Sequence, residues 1–447
     1  MKRRMADSTT RILSVVLVLA LLVLVSEFAS AQPRSVTSFF VEEAKLTAPD
    51  GSEWDSFGYS VSVSGDTIVV GASGDNGRGS AYIFERVEGT ANWVQVAKLT
   101  ASDGVVGDVF GASISISGDT VVVGAFLDDD SGQSSGSAYL FESPEGGWID
   151  ASETAKLTAS DGAASDYFGH SVSVSGDTVV VGAPLDDDGA DRSGSVYVFE
   201  KPEGGWSDLN ETAKLTASEA VPVGFLGRSV SISADTVVAG AYGDDDNGEY
   251  SGSAYLFEKP VSGWIDMTET TKLKASDGAP GDYFGVSVSV DGDTVVVGAF
   301  LARVSGAECG SAYLFEKPVT GWTDMTETAK LSASDGAGED YFGYSVSVSG
   351  DTAVVGADGD DDSESSSGSA YVFERPGTSW TDITETTKLT ATDGNGFDIF
   401  GWSVSNSGGT VVVGAQGDSD NGEHSGSAYV YAPFRASAWV YLPVVLR

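Results

Sequence analysis

The sequence predicts an all-β chain: a seven-bladed β-propeller of four-stranded antiparallel blades, its ring closed by the N-terminal strand joining the last blade. Three observations carry that expectation. A lysine in an Ala/Thr-Lys-Leu motif returns at Lys45, Lys98, Lys156, Lys214, Lys272, Lys330 and Lys388, spaced by 53 residues and then by 58 five times over. A period this long, with four strands in each unit, fits the blades of a propeller rather than the turns of a solenoid. The two ends of the chain each carry the part of a unit that the other lacks.

Residues 168–200, FGHSVSVSGDTVVVGAPLDDDGADRSGSVYVFE, show the first three strands of one unit. Ser171-Val172-Ser173-Val174-Ser175 alternates small polar with β-branched residues at period two, the mark of a strand. Ser175-Gly176-Asp177 is a turn cluster suited to a tight hairpin. Thr178-Val179-Val180-Val181 is a β-branched run, as expected of a strand covered on both faces. Gly182-Ala183 ends it with almost no side chain, which suits close approach by a neighbouring backbone. An Asp-rich loop leads to the third strand, Gly194-Ser195-Val196-Tyr197-Val198-Phe199. After a connection carrying Trp206, Ala213-Lys214-Leu215-Thr216-Ala217 forms the fourth, whose lysine marks it as an edge strand.

The Phe-Gly that opens each unit stands at Phe57, Phe110, Phe168, Phe284, Phe342 and Phe400, and the fourth unit has Leu226-Gly227 instead. Lys45 and Leu46 belong to a fourth-strand motif with no first three strands before it, and the last unit lacks its own. Residues 39–48 are therefore expected to supply the outer strand of the final blade.

Residues 1–31 combine a basic start, an apolar run over residues 12–25 and Ala29-Ser30-Ala31, the pattern of a secretory signal peptide. The run is short for a membrane span, and no other segment approaches that length. The mature chain is thus expected outside the cytoplasm, secreted or at the cell surface, with no integral membrane span. The propeller is assigned to residues 32–431 and an apolar tail to 432–447. The tail reads either as a sorting tag or as an extra strand on the last blade. Removing the leader deepens the formal net charge from −42 to −44, which disfavours nucleic acid and anionic lipid as partners. Cys309 is the one cysteine, so no intramolecular disulfide forms and stability is expected from packing between blades.

Phe168-Gly169, Val181-Gly182-Ala183-Pro184 and Gly194-Ser195-Val196-Tyr197-Val198-Phe199 together resemble the FG-GAP repeat of integrin α-subunit propellers and their bacterial relatives. The likeness returns in every unit from Phe39 to Tyr431. It implies a seven-bladed, often extracellular propeller serving binding or adhesion. One departure matters. The integrin-type repeat places an Asp-x-Asp-x-Asp-Gly calcium loop between its first and second strands, where this chain has turns such as Ser117-Gly118-Asp119-Thr120. One carboxylate cannot supply the six to eight oxygens that calcium takes. The chain is similar to a shorter bacterial variant of the repeat, and the family's metal site does not carry over.

The carboxylates gather in two other loops. Between the second and third strands lie Asp128-Asp129-Asp130, Asp186-Asp187-Asp188, Asp244-Asp245-Asp246, Asp360-Asp361-Asp362, and Asp418 with Asp420. The first unit has Asp75-Asn76-Gly77, and the fifth has Ala302-Arg303-Val304. The loop before each first strand carries two aspartates five apart: Asp50 and Asp55, Asp103 and Asp108, Asp161 and Asp166, Asp277 and Asp282, Asp335 and Asp340, Asp393 and Asp398. The fourth unit has Glu219 and Gly224 there. Strand direction alternates in a meander, so both loops emerge on one face of the ring. That face is expected to be strongly acidic. Two readings stay open for it: weak calcium binding at extracellular affinities, or plain solvation with the repulsion screened by salt. Units two, three and six, which keep both loops, are the metal candidates, through Asp103, Asp108 and Asp128–Asp130; Asp161, Asp166 and Asp186–Asp188; Asp335, Asp340 and Asp360–Asp362.

Other residues point less far. His170 and His424 occupy different repeat positions and cannot make a zinc site, which takes three or four ligands. No Gly-x-Ser-x-Gly elbow with a partnered histidine is present. Carboxylate pairs can hydrolyse glycosides, but identical pairs recur around the ring. Trp148, Trp206, Trp264, Trp322 and Trp380, with Trp93 in the first unit, read either as packing between blades or as sugar platforms. The expected function is a non-enzymatic, monomeric binding or adhesion propeller for a protein or glycan ligand. The alternatives are a lectin-like propeller using the tryptophan face and, last, a secreted hydrolase.

Overall fold

A computed structural model of the chain describes residues 39–434 apart from 305 and 362. Those residues form seven antiparallel four-stranded blades. In the third blade the strands are Ser171–Ser175, Thr178–Ala183, Ser195–Glu200 and Ala213–Thr216. Their register sets Val172 opposite Val181, Val181 opposite Tyr197, and Tyr197 opposite Lys214. The second strand is buried along its whole length, while the first alternates buried Val with half-exposed Ser. The β-branched run and the period-two pattern thus mean what they should.

Hydrophobic clusters lie between blades rather than within them. Val122, Leu140 and Leu157 of the second blade pack on Phe168, Val172, Val181, Phe199 and Trp206 of the third. Full burial of one such valine is worth roughly 1.5 kcal/mol or more as an upper estimate. The Phe-Gly signature belongs to this seam. Phe168 sits edge-on to Tyr197 at 5.4 Å and to Phe199 at 6.0 Å. Gly169 has φ +85°, and a Cβ there would lie 2.3 Å from the Ser137 carbonyl oxygen of the preceding blade. Only glycine meets both demands. In the fourth blade Leu226 fills the phenylalanine's place, 1% exposed.

The strand Phe40–Leu46 pairs antiparallel with Ser427–Pro433, setting Lys45 opposite Tyr429 and Leu46 opposite Ala428. Leu46, Val412 and Val430 then share a cluster with Phe57, Val63 and Tyr82 of the first blade. The pairing runs two residues past the expected propeller boundary at Tyr431. The signal-peptide assignment and the tail from residue 435 onward lie outside the described residues.

One expectation is corrected. The lysine-bearing fourth strand is not a bare edge. Leu209–Asn210, from the next blade's connection, pairs parallel with Leu157 and Thr158, and the same arrangement covers three further blades. Side chains complete the clamp: the Lys156 N–H donates to Asp208, and Ser160 donates through N–H and hydroxyl to Glu211. Of the two readings of the recurring tryptophans, packing holds for five of them. Trp148, Trp206, Trp264, Trp322 and Trp380 are all at most 8% exposed and sit in the inter-blade clusters. Cys309 is buried as well, so its thiol is not placed for an intermolecular bridge.

Candidate functional site on the acidic face

The antiparallel order puts both Asp-bearing loops on one face, and within each blade they converge on the fourth-strand lysine. Lys156 Nζ lies 2.6 Å from Asp103 and 3.2 Å from Asp128, and also pairs with Asp130. Lys214 repeats this with Asp161 at 2.7 Å, Asp186 at 2.9 Å, and Asp188. Lys45 meets Asp393, Asp418 and Asp420 at 2.6–2.8 Å in the closing blade. Lys98 holds Asp50 and Asp75, and Lys388 holds Asp335 and Asp360. In the fourth blade Lys272 bridges Asp244 and Asp246, and Lys274 joins from the same strand. The fifth blade, with Ala302 in place of the aspartate, leaves Lys330 with Asp277 at 2.6 Å and the Tyr313 hydroxyl at 3.1 Å.

A tyrosine from the third strand sits beneath each ammonium. Register places Tyr139 opposite Lys156. The ammonium lies 4.9 Å from the ring centroid, within cation–π range. The buried phenol is 2.9 Å from Asp103 and 2.7 Å from Asp128 and can donate its one proton to either. Burial, and then the two carboxylates, hold the Tyr139 proton well above its usual range. Burial would lower Lys156, but hydrogen bonds to Asp103 and Asp130 and the Asp128 charge outweigh it and raise the ammonium. Asp103 responds in the opposite sense: burial favours its neutral form, yet Lys156 and Tyr139 hold the carboxyl below the ordinary range. Each blade therefore contains an ion cluster with its own internal cation, and where two or three carboxylates share that one ammonium the cluster keeps a net negative charge.

The two aspartates of the first loop do different work. Asp103, Asp161 and Asp335 join the clusters. Asp108, Asp166 and Asp340 turn back to accept their own loops' N–H groups, from Val105, Ala163 and Ala337, each at 2.6 Å. Burial raises all three, with added repulsion from neighbouring aspartates, and Asp166 and Asp340 are pushed up to about 6. They shape their own loops and lie outside the lysine clusters. Asp129 and Asp187 are exposed and accept the Ser134 and Arg192 N–H groups. Asp361 is exposed and Asp362 lies outside the described residues.

Three groups have carboxylate oxygens that all lie within 4.8 Å of one another and can hold a cation: Asp103/Asp128/Asp130, Asp161/Asp186/Asp188 and Asp244/Asp245/Asp246. The fourth blade appears here although it lacks the loop pair, because its 2–3 loop assembles the group alone. In the first two groups the lysine ammonium bonds all three carboxylates. With it in place, the donor set falls short of calcium's six to eight oxygens. The role of the lysine was not read from the sequence, where it served as a period marker. The available signal was the recurrence of tyrosine at Tyr82, Tyr139, Tyr197, Tyr255, Tyr313, Tyr371 and Tyr429, one strand away from it.

Comparison with known proteins identifies the repeat. The FG-GAP repeat family matches seven times, over residues 40–84, 93–141, 151–199, 209–257, 267–315, 325–373 and 383–431. The chain belongs to the FG-GAP repeat family. Family and fold together define a propeller of the binding or adhesion type. Among solved structures, the chain is similar to the WD40 β-propeller domain of Doa1, at 13% identity and a TM-score of 0.49 over 90% of this chain and 99% of that one. A search of curated protein sequences gives no match. No helix among the described residues is long and apolar enough to cross a membrane.

Proposed function

We propose that the protein is an exported, non-enzymatic binding propeller that meets a cationic protein surface with its acidic face. The observation that carries this reading is the division of labour among the aspartates. In blades two and three the lysine gathers three carboxylates around one ammonium, while Asp129 and Asp187 stay exposed on the same face. Asp245 and Asp361 extend the exposed set around the ring. Support for a binding role over catalysis comes from repetition. The same cluster recurs blade after blade, so none of the cluster carboxylates is distinguished as an acid or base. Support for export comes from the leader pattern of residues 1–31. Complementary charge would set encounter rate and register more than affinity.

The test is binding of the mature chain to an immobilised lysine-rich polypeptide at 50 and 150 mM salt. One variant carries Asp129, Asp187, Asp245 and Asp361→Asn. A second carries four neutralisations on the opposite face: Asp119, Asp177, Asp235 and Asp293→Asn. Binding lost in the first and kept in the second supports the reading. Equal loss in both shows only the effect of net charge and overturns it.

A second reading, calcium at the three carboxylate groups, is favoured by their oxygens lying within 4.8 Å of one another. It requires the lysine to swing out of the group. A rise in Tm on adding calcium to the wild type, reversed by chelator, would support it.

A further inference from the structure

We infer that the central channel is a binding site for a small anion of defined shape: a carboxylate carried on a six-membered ring. The seven first strands enclose a cavity of about 250 Å³. Its wall is built from two adjacent repeat positions that behave in opposite ways. One is serine in every blade, and its hydroxyl bonds a glycine carbonyl of the next blade around the whole ring, as Ser113 does to Gly169 and Ser171 to Gly227. The position just before it differs from blade to blade: Tyr59, Ala112, His170, Arg228, Val286, Tyr344 and Trp402. The ring's own hydrogen bonding does not require those side chains. The channel wall is one place where the sevenfold pattern breaks.

The residues that break it make a coherent set. Arg228 makes no ion pair among the described residues, although it stands in a chain of net charge −42. Every lysine among them is paired, and the other two unpaired arginines, Arg78 and Arg192, are exposed. Arg228 is half-buried and reaches the phenol of Tyr344 two blades away. The rings of Tyr344 and Trp402 are 4.7 Å apart, and Tyr59 lies 5.6 Å from Trp402 on its other side. His170 packs on Phe126 at 5.1 Å and has a buried, unpartnered Nδ1. Burial and the nearby Arg228 charge keep that imidazole neutral, which leaves Arg228 as the cation of the channel wall.

An unpaired guanidinium is a planar fork of donors matched to a carboxylate. Aromatic faces beside it favour a ring that can stack on them, by a π-face or by a face of C–H groups. The cavity's size admits one ring with its acid group, not a peptide. An aromatic acid and a uronic acid share this chemistry. The binding is non-covalent and needs no chemical step.

The test is equilibrium dialysis of the mature protein with benzoate, with glucuronate, and with benzamide as the neutral isostere of benzoate. Saturable binding of benzoate or glucuronate with Kd on the order of 1 mM or tighter is expected, and the arm that binds names the source. Arg228→Met should weaken it by ~10- to 100-fold. Arg228→Lys, which keeps the charge and loses the fork, serves if the first variant does not fold and should weaken it by about tenfold. Saturation of neither acid, benzamide binding as tightly as benzoate, or unchanged binding in both Arg228 variants would overturn the assignment.

Discussion

Replacing Lys156 by methionine removes one ammonium while keeping the length and apolar stem of the side chain. What remains is Asp103, Asp128 and Asp130 facing one another, with Asp128 only 4% exposed. Deleting one partner of a buried ion pair typically costs ~3–5 kcal/mol. Two of these carboxylates are solvated, which reduces the expected cost to ~2–4 kcal/mol. A cooperative unit of roughly 400 residues has an unfolding entropy near 0.8 kcal/mol/K, so the expected fall in Tm is ~2–5 °C. The fifth blade provides the control. Lys330 faces one aspartate and a tyrosine hydroxyl, and Lys330→Met should cost ~1 kcal/mol or less. Scanning calorimetry at pH 7.5 in 20 mM salt reads both. Calcium at 5 mM should then raise the Tm of Lys156→Met, whose three carboxylates have lost their internal cation, and leave the wild type unmoved. Equal Tm losses in the two variants, or calcium stabilising both proteins alike, would refute the reasoning.

Acid should first stabilise the fold and then destabilise it. Asp166, Asp340 and Asp398 are pushed up to about 6 by burial, above the unfolded value near ~3.9. Between those values the folded state holds more protons, so these groups add stability as pH falls from about 6 to 4. Asp103, Asp335 and Asp393 are lowered, since their lysine and tyrosine partners outweigh burial. Their contribution is present above ~4 and is lost as pH falls through their folded values. Tm should therefore be higher at pH 5 than at 7.5 and drop below pH 4; a steady fall from 7.5 to 5 would contradict this. Trp206→Ala, which empties an inter-blade seam, should cost ~3–5 kcal/mol and leave glycan-array signal at background, whereas a wild-type glycan signal abolished by it would restore the lectin reading. N-terminal sequencing of exported protein should begin at Gln32, and an intact leader would remove the secretory assignment.

The blade was legible because its strands are short, uniform and differently patterned. Alternating Ser/Val, the Val-Val-Val run and the Gly-Ser-Val-Tyr strand each state their burial in their composition. The closing strand was legible because Lys45 and Leu46 stood without their other three strands. The ion clusters were harder to read. Lys156 and Asp130 lie 26 residues apart, and only the register that sets Tyr139 opposite Lys156 brings them together. Two aspartates five apart look equivalent as letters, yet the turn sends Asp103 to the lysine and Asp108 to its own backbone. The tryptophans were ambiguous for another reason. A recurring aromatic fits a seam or a platform equally well until the next blade is seen to cover it.

The central claim is that the chain supplies its own cation to each acidic cluster. A high-resolution crystal structure grown in 5 mM calcium chloride tests it most directly. The account predicts Lys156 Nζ and Lys214 Nζ seated among their three carboxylates with no ion bound there. A calcium ion coordinated by Asp128 and Asp130, with Lys156 turned out to solvent, would contradict it.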